Sequence, residues 1–335
     1  MKLLRNIVLM TTVLVMLTSS AYSFVSSSNT NEKMTEEELL KSYETYYQKE
    51  NIGIENLDYF INSYPDIIFQ KEYDNDKKDW LITITAPETP GHIIKGKDDK
   101  DVITTKLYWS EGRFLPEGEL KNKDKYWSLL TYYGKEVRDP ATFTEKERDL
   151  IREAGYVSSR RKAKKTPVFF FNAVYDTATR GSTESHIKTI SLFGKKSVVH
   201  ERIEAPLKRA EAKVKEAAKT SYELQAFLDN LKSCDSYSWR DIGAVENRSL
   251  HSLGIAVDFL PKKSRKHLFW GWARDRFPET WMDISLDARW LLPEQLVSIF
   301  AEEGFVWGGR WVIWDNMHLE YRPEQLAYNK DVFWK

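Results

Sequence analysis

Apolar positions along the chain fall into one terminal block and a series of shorter segments at strand or helix spacing. The block comes first. Residues 7–17 are apolar except for two threonines, follow Lys2 and Arg5, and give way to small polar residues around Ala21 and Ser23. This is the pattern of a cleaved export signal over 1–23, because eleven such residues fall short of the ~20 needed to span a bilayer. Residues 24–33 are polar and aperiodic and read as a linker, and 34–51 are Glu-rich with helical character. Alternation predicts strands over 79–85 and 102–109. Thr144-Glu145-Lys146-Glu147 has the Thr-x-x-Glu form of a capping box, so a helix is expected to start there.

The pattern strengthens after residue 203. Pro206, an Ala/Lys/Glu-rich run and then Tyr222, Leu224, Phe227, Leu228 and Leu231 at helical spacing predict a helix-rich stretch to about 232. Residues 255–260 are an apolar strand with one carboxylate, Asp258. Another helix is expected over 293–303, with Pro293 at its start and Gly304 at its stop, and a closing strand over 318–322. These elements divide the chain into a signal (1–23), a linker (24–33), an N-terminal accessory region without catalytic pattern (34–145) and a domain over 146–335 whose motif core is 203–326.

Composition narrows the partners. Among 335 residues, 50 Lys plus Arg balance 50 Asp plus Glu, so no basic field argues for nucleic acid. No apolar run after the signal is long enough to predict a membrane span. The one cysteine, Cys234, cannot form a disulfide within the chain or build a thiolate metal site. Any metal must therefore be held by histidine and carboxylate.

Two short segments supply such a set. In Ser249-Leu250-His251-Ser252-Leu253-Gly254-Ile255-Ala256-Val257-Asp258, strand alternation puts Ala256, Asp258 and Leu260 on one face. A charged carboxylate on an apolar strand is costly unless a cation meets it. Gly254 lets the backbone turn so that His251 can reach the same point. In Trp314-Asp315-Asn316-Met317-His318-Leu319-Glu320, His318 and Glu320 point the same way from a strand, and Asp315 lies in the turn before them. Two histidines and one carboxylate are a common ligand set for catalytic zinc, which keeps a fourth position open. A further carboxylate three residues before the second histidine is placed to act as a base.

Ser249-x-His251-x-x-Gly254-x-Ala256-x-Asp258 followed by Asp315-x-Met317-His318-x-Glu320 resembles the D-alanyl-D-alanine carboxypeptidase family of zinc peptidases. That family includes VanY-type carboxypeptidases and L-alanyl-D-glutamate endopeptidases and shares its fold with hedgehog signalling domains. The resemblance spans about 203–326. It implies an α+β fold, with helices packed on a small, mainly antiparallel sheet and the metal on the sheet's open face. It further implies Zn2+ bound by His251, Asp258 and His318, and Asp315 as general base where many members carry Glu. The implied substrates are peptidoglycan stem peptides, trimmed by a D,D-carboxypeptidase or cut internally by an endopeptidase. With the export signal, this places the protein in the periplasm or outside the cell.

The remaining candidates carry both functional and structural readings. Arg240 resembles the family's arginine upstream of the first motif and would hold a substrate carboxylate or an oxyanion, with Arg248 as its rival. Glu320 would orient a ligand or meet a substrate amine; the plainer alternative is an ion pair with Arg322. Ser249 is expected to cap its turn. Nine of the twelve tryptophans fall from Trp239 onward, and most suit a compact core; Trp311 and Trp314, flanking the Asp315 turn, are the candidates for a cleft wall. His267 sits in a basic run, and His92, His186 and His200 have no partnered spacing. A non-catalytic zinc- or wall-binding domain is the rival from another class.

Overall fold

The computed structural model describes residues 35, 38, 41–42, 52–87, 102–240 and 248–335. The expected export signal and linker lie outside the described residues. So does most of the Glu-rich stretch 34–51, of which Glu38, Lys41 and Ser42 are helical.

The N-terminal part begins with helix α1 (Leu57–Ser63), which buries Leu57 and Phe60. An antiparallel meander follows: β1 (Ile68–Asp74), β2 (Asp79–Pro87) and β3 (Val102–Tyr108), paired in that order. On β2 the strand period puts Ile82, Ile84 and Ala86 into the core, with Thr83 and Thr85 on the other face. Both strands expected here are present; β1 is additional.

Helix α2 (Glu145–Gly155) starts at the expected capping box. Thr144 accepts from the Glu147 backbone, and Glu147 returns a bond to the Thr144 N–H. Three short helices follow, α3 (Val157–Lys162), α4 (Phe169–Tyr175) and α5 (Arg180–Ser185). Strands β4 (Ile187–Leu192) and β5 (Lys195–His200) then form a hairpin. Its two turn residues, Phe193 and Gly194, both have positive φ (51° and 73°), the backbone that matches the twist of a two-residue hairpin.

The helix-rich stretch resolves into α6 (Glu204–Ala218) and α7 (Tyr222–Asn230), with Pro206 in the first turn. Strand β6 (Leu231–Asp235) leads to β7 (Ala256–Pro261), α8 (Trp270–Arg276), α9 (Glu294–Glu302), β8 (Phe305–Trp307), β9 (His318–Tyr321) and α10 (Pro323–Val332). The four strands form one antiparallel sheet in the order β6-β7-β9-β8. The architecture is α+β, as the sequence implies.

One apolar core runs through both halves of the chain. It joins Phe60, Ile84 and Phe114 to Phe170 and Phe171 of α4, and on to Phe259, Phe300 and Leu319 of the four-stranded sheet. Phe170 carries the junction, its ring centre 4.9 Å from that of Phe60 and 4.8 Å from that of Phe114. The described residues from Glu38 onward belong to one compact unit.

Candidate active site

The Ser249 hydroxyl accepts a hydrogen bond from the His251 N–H (3.3 Å) and opens a short 3-10 turn over Leu250–Leu253. Gly254 ends the turn with φ +71°, the left-handed region that glycine enters without strain. Any Cβ there would lie 2.8 Å from the His200 nitrogen, whose N–H donates to the Gly254 carbonyl. The turn releases the chain into β7 with His251 above it and Asp258 on its face.

Strand pairing brings in the second motif. Asp258 lies directly opposite His318, and Ala256 opposite Glu320. The small Ala256 leaves that face free for the larger polar groups. His251 Nε2, His318 Nδ1 and Asp258 Oδ1 form a triangle with sides of 3.1, 3.1 and 3.0 Å. The orientations are fixed from behind. His251 Nδ1 donates to the Ser236 carbonyl at 2.8 Å, and His318 Nε2 donates to Glu320 at 3.2 Å, so each ring turns its other nitrogen to the shared point.

This triangle fits a metal ion. Zinc at ~2.0–2.1 Å from tetrahedral N and O ligands sets neighbouring ligands roughly 3.3 Å apart, within a few tenths of an ångström of the observed spacing. The electrostatics agree. Burial works against ionisation of Asp258, yet hydrogen bonds from His251 and His318 hold its pKa well below the ordinary carboxylate range. His318 is buried, but Asp258, Glu320 and Asp315 raise its pKa well above that of free imidazole. Anionic oxygen crowds a point that a cation would neutralise.

Asp315 lies beside this cluster, in the turn entering β9. Its N–H donates to the Gly308 carbonyl at 2.9 Å, and it pairs with Phe269 in an isolated antiparallel bridge. A Cβ on Gly308 would come 2.7 Å from the Asp315 carbonyl oxygen, so only glycine admits this approach. Asp315 Oδ1 is shut off from solvent and has no hydrogen-bond partner among the described residues. Burial pushes its pKa up to about 7 and nearby Asp258 adds to the rise, while His318, the Met317 N–H and Arg240 pull it back. A carboxylate that can carry or lose a proton near neutrality suits a general base or acid.

Arg240 is exposed and close enough for its charge to act on Asp315. Arg248 is engaged elsewhere. It bonds to Asn172 and to the Thr177 carbonyl and lies 4.3 Å over Trp239, so it ties the motif segment to α4 and its following loop. Glu320 combines both readings: Oε2 accepts from His318 and Oε1 from Arg322. Trp311 is half-buried with its ring centre 5.5 Å from that of His318. Trp314 does not line a cleft, contrary to expectation. It is fully buried beneath the Arg289 guanidinium (4.7 Å), in a cluster with Trp270 and Trp281. Its place beside Asp315 in sequence says nothing about facing it, because successive side chains diverge.

The other histidines stand apart from the triangle. His267 packs against Phe277, His186 sits between Asp176 and Glu201, and His200 bonds to the Tyr175 carbonyl; His92 is outside the described residues. Two contributors escaped the sequence reading. Ser236 acts through its backbone carbonyl, which leaves no side-chain signal, and Phe269 acts through a bridge across 46 positions (315 − 269).

Residues 243–321 match the family model described as D-alanyl-D-alanine carboxypeptidase. The match contains His251, Asp258, Asp315, His318 and Glu320, and Arg240 lies just before it. No curated protein and no solved structure matches the chain.

Proposed function

We propose, from the premise that residues 243–321 are a segment of the D-alanyl-D-alanine carboxypeptidase family of peptidases, that this chain is a zinc-dependent hydrolase of peptidoglycan stem peptides. The observation that carries the reading is Asp315. A structural zinc site is closed by four protein ligands, whereas here, among the described residues, three donors converge and a further carboxylate lies alongside with a sealed, unpartnered oxygen. A non-catalytic binding domain has no use for that group.

Zinc held by His251, Asp258 and His318 supplies a Lewis acid for the scissile carbonyl and makes water acidic enough to ionise near pH 7. Asp315 takes the proton at Oδ1 and returns it to the leaving amine, for which a pKa near neutrality is suited. Arg240 meets the substrate carboxylate or the developing oxyanion. Glu320 keeps His318 in the binding orientation rather than touching substrate.

Removal of a terminal D-alanine is the preferred reaction, since a cation beside the base suits a free carboxylate at the substrate's end. Cleavage within the stem peptide is the second reading, and the exposure of Arg240 favours it, because an exposed arginine does not close the end of a pocket. The export signal over 1–23 would deliver the enzyme to this substrate, and among the described residues no helix is long and apolar enough to cross a membrane. Mass spectrometry of a muropeptide digest, with and without chelator, tests the proposal. Chelator-sensitive release of D-alanine supports the carboxypeptidase, and split stem peptides support the endopeptidase. Absence of any chelator-sensitive cleavage would overturn both.

A further inference from the structure

A line of buried polar groups leaves the candidate metal centre through His318 Nε2, the nitrogen turned away from the triangle. His318 Nε2 donates to Glu320 Oε2 at 3.2 Å. Arg322 Nη1 donates to Glu320 Oε1 at 3.4 Å, and Arg322 Nε donates to Glu324. Tyr64 Oη donates to the other oxygen of Glu324 at 2.9 Å, across 260 positions of sequence. Arg322 Nη2 is held by the Leu129 carbonyl at 2.7 Å. Every member is at most 8% exposed, and Glu324 is fully buried. The Tyr64 ring is itself fixed edge-on against Phe170, with centres 5.4 Å apart.

In this arrangement two carboxylates share one guanidinium. Where Arg322 sits between them depends on what else each accepts: His318 on one side, Tyr64 on the other. Without the Tyr64 hydroxyl, Glu324 Oε2 has no other hydrogen-bond partner among the described residues, and its charge draws Arg322 away from Glu320. Glu320 is then freed to turn, and with it the carboxylate that sets the His318 ring. Tyr64 and Leu129 both lie far outside the segment that matches the peptidase family.

We infer that Tyr64, acting through Glu324, Arg322 and Glu320, is a positioning residue for the metal ligand His318, so that the N-terminal region completes the metal centre. The inference rests on the zinc reading above and assigns that region a part in it.

The test is zinc affinity of the full chain, measured by chelator competition, with the fold of each metal-free variant checked by thermal melting. Glu320→Gln removes the direct partner of His318 and is expected to weaken zinc by ~10–100-fold. Tyr64→Phe is expected to weaken it by roughly three- to tenfold, a smaller effect because it acts through two further residues. The deciding measurement is Tyr64→Phe in the Glu320→Gln background. If Tyr64 works through Glu320, the second substitution adds no further loss; a residue that only stabilises the fold gives the same loss in both backgrounds. Unchanged zinc affinity in Tyr64→Phe, or full additivity, overturns the inference and leaves the peptidase reading standing. A wild-type chain that binds no zinc overturns both. Should Tyr64→Phe not fold, the isosteric Glu324→Gln takes its place in the same cycle with the same outcomes.

Discussion

Asp258 and His318 face each other directly across β7 and β9, with Oδ1 and Nδ1 3.0 Å apart. The sheet register, rather than a loop, therefore sets the spacing of two of the three proposed ligands. A one-residue slip would turn His318 and Glu320 to the opposite face together. Precision at this centre is a property of the strands.

Asp315→Ala is expected to abolish hydrolysis while leaving about one zinc per chain. Loss of a general base costs ~10²–10⁴-fold in rate, and Asp315 is not one of the three converging donors. Turnover of muropeptides and metal content on the same sample check this, and unchanged turnover would remove Asp315 from the mechanism.

His251→Ala has the opposite signature. It deletes one corner of the triangle and leaves the Ser236 carbonyl without its partner. Metal content and activity are expected to fall together. A variant that kept full zinc after dialysis against chelator would strike His251 from the ligands.

Gly308→Ala separates base position from metal binding. The new Cβ would come 2.7 Å from the Asp315 carbonyl oxygen and 3.1 Å from its Cβ, so the Asp315 turn must shift. Displacement of a reacting group by ~1 Å can cost about 10²-fold in rate, and a fall in kcat of that order is expected with zinc content unchanged. Equal kcat for variant and wild type would mean the turn tolerates the movement.

Acid should destabilise the fold through His200. Burial pushes this histidine down to about 4, and its Nε2 donates to the Tyr175 carbonyl at 2.8 Å. An unfolded histidine titrates near 6.5, so between about pH 6.5 and 4 the unfolded chain binds a proton that the fold refuses. Stability from this group is therefore complete above pH 6.5 and falls as pH drops, by up to ~1.4 kcal/mol per unit. Urea midpoints at pH 7.5 and 5.0, for wild type and His200→Asn, measure the difference. An identical pH dependence in both chains would place the acid sensitivity elsewhere.

The chemistry was more legible in the sequence than the scaffold. His251, Asp258, Asp315 and His318 stand in two short motifs, with alternation setting the faces of Asp258 and His318 and turns placing the other two, and the Thr144 box and the strand over β2 follow from local rules. The β4–β5 hairpin did not announce itself, because Phe193 takes a left-handed backbone that its residue type does not advertise. Trp314 flanks Asp315 in the chain yet turns into the core beneath Arg289, a direction that nearness in sequence does not specify. The contact of Tyr64 with Glu324 is invisible to any local pattern, since 260 positions separate them and it is the packing of α1 on α10, with the Tyr59 and Tyr328 rings 5.5 Å apart, that brings them together.

The spacing of the proposed ligands also makes the centre depend on one strand pairing. His251 and Asp258 belong to one short stretch, whereas His318 lies 60 positions beyond Asp258 and joins them only through the pairing of β9 with β7. A chain without that pairing offers two donors and holds zinc weakly. A metal held by all three donors therefore depends on the β7–β9 pairing, and loosening of β9 alone would open the centre.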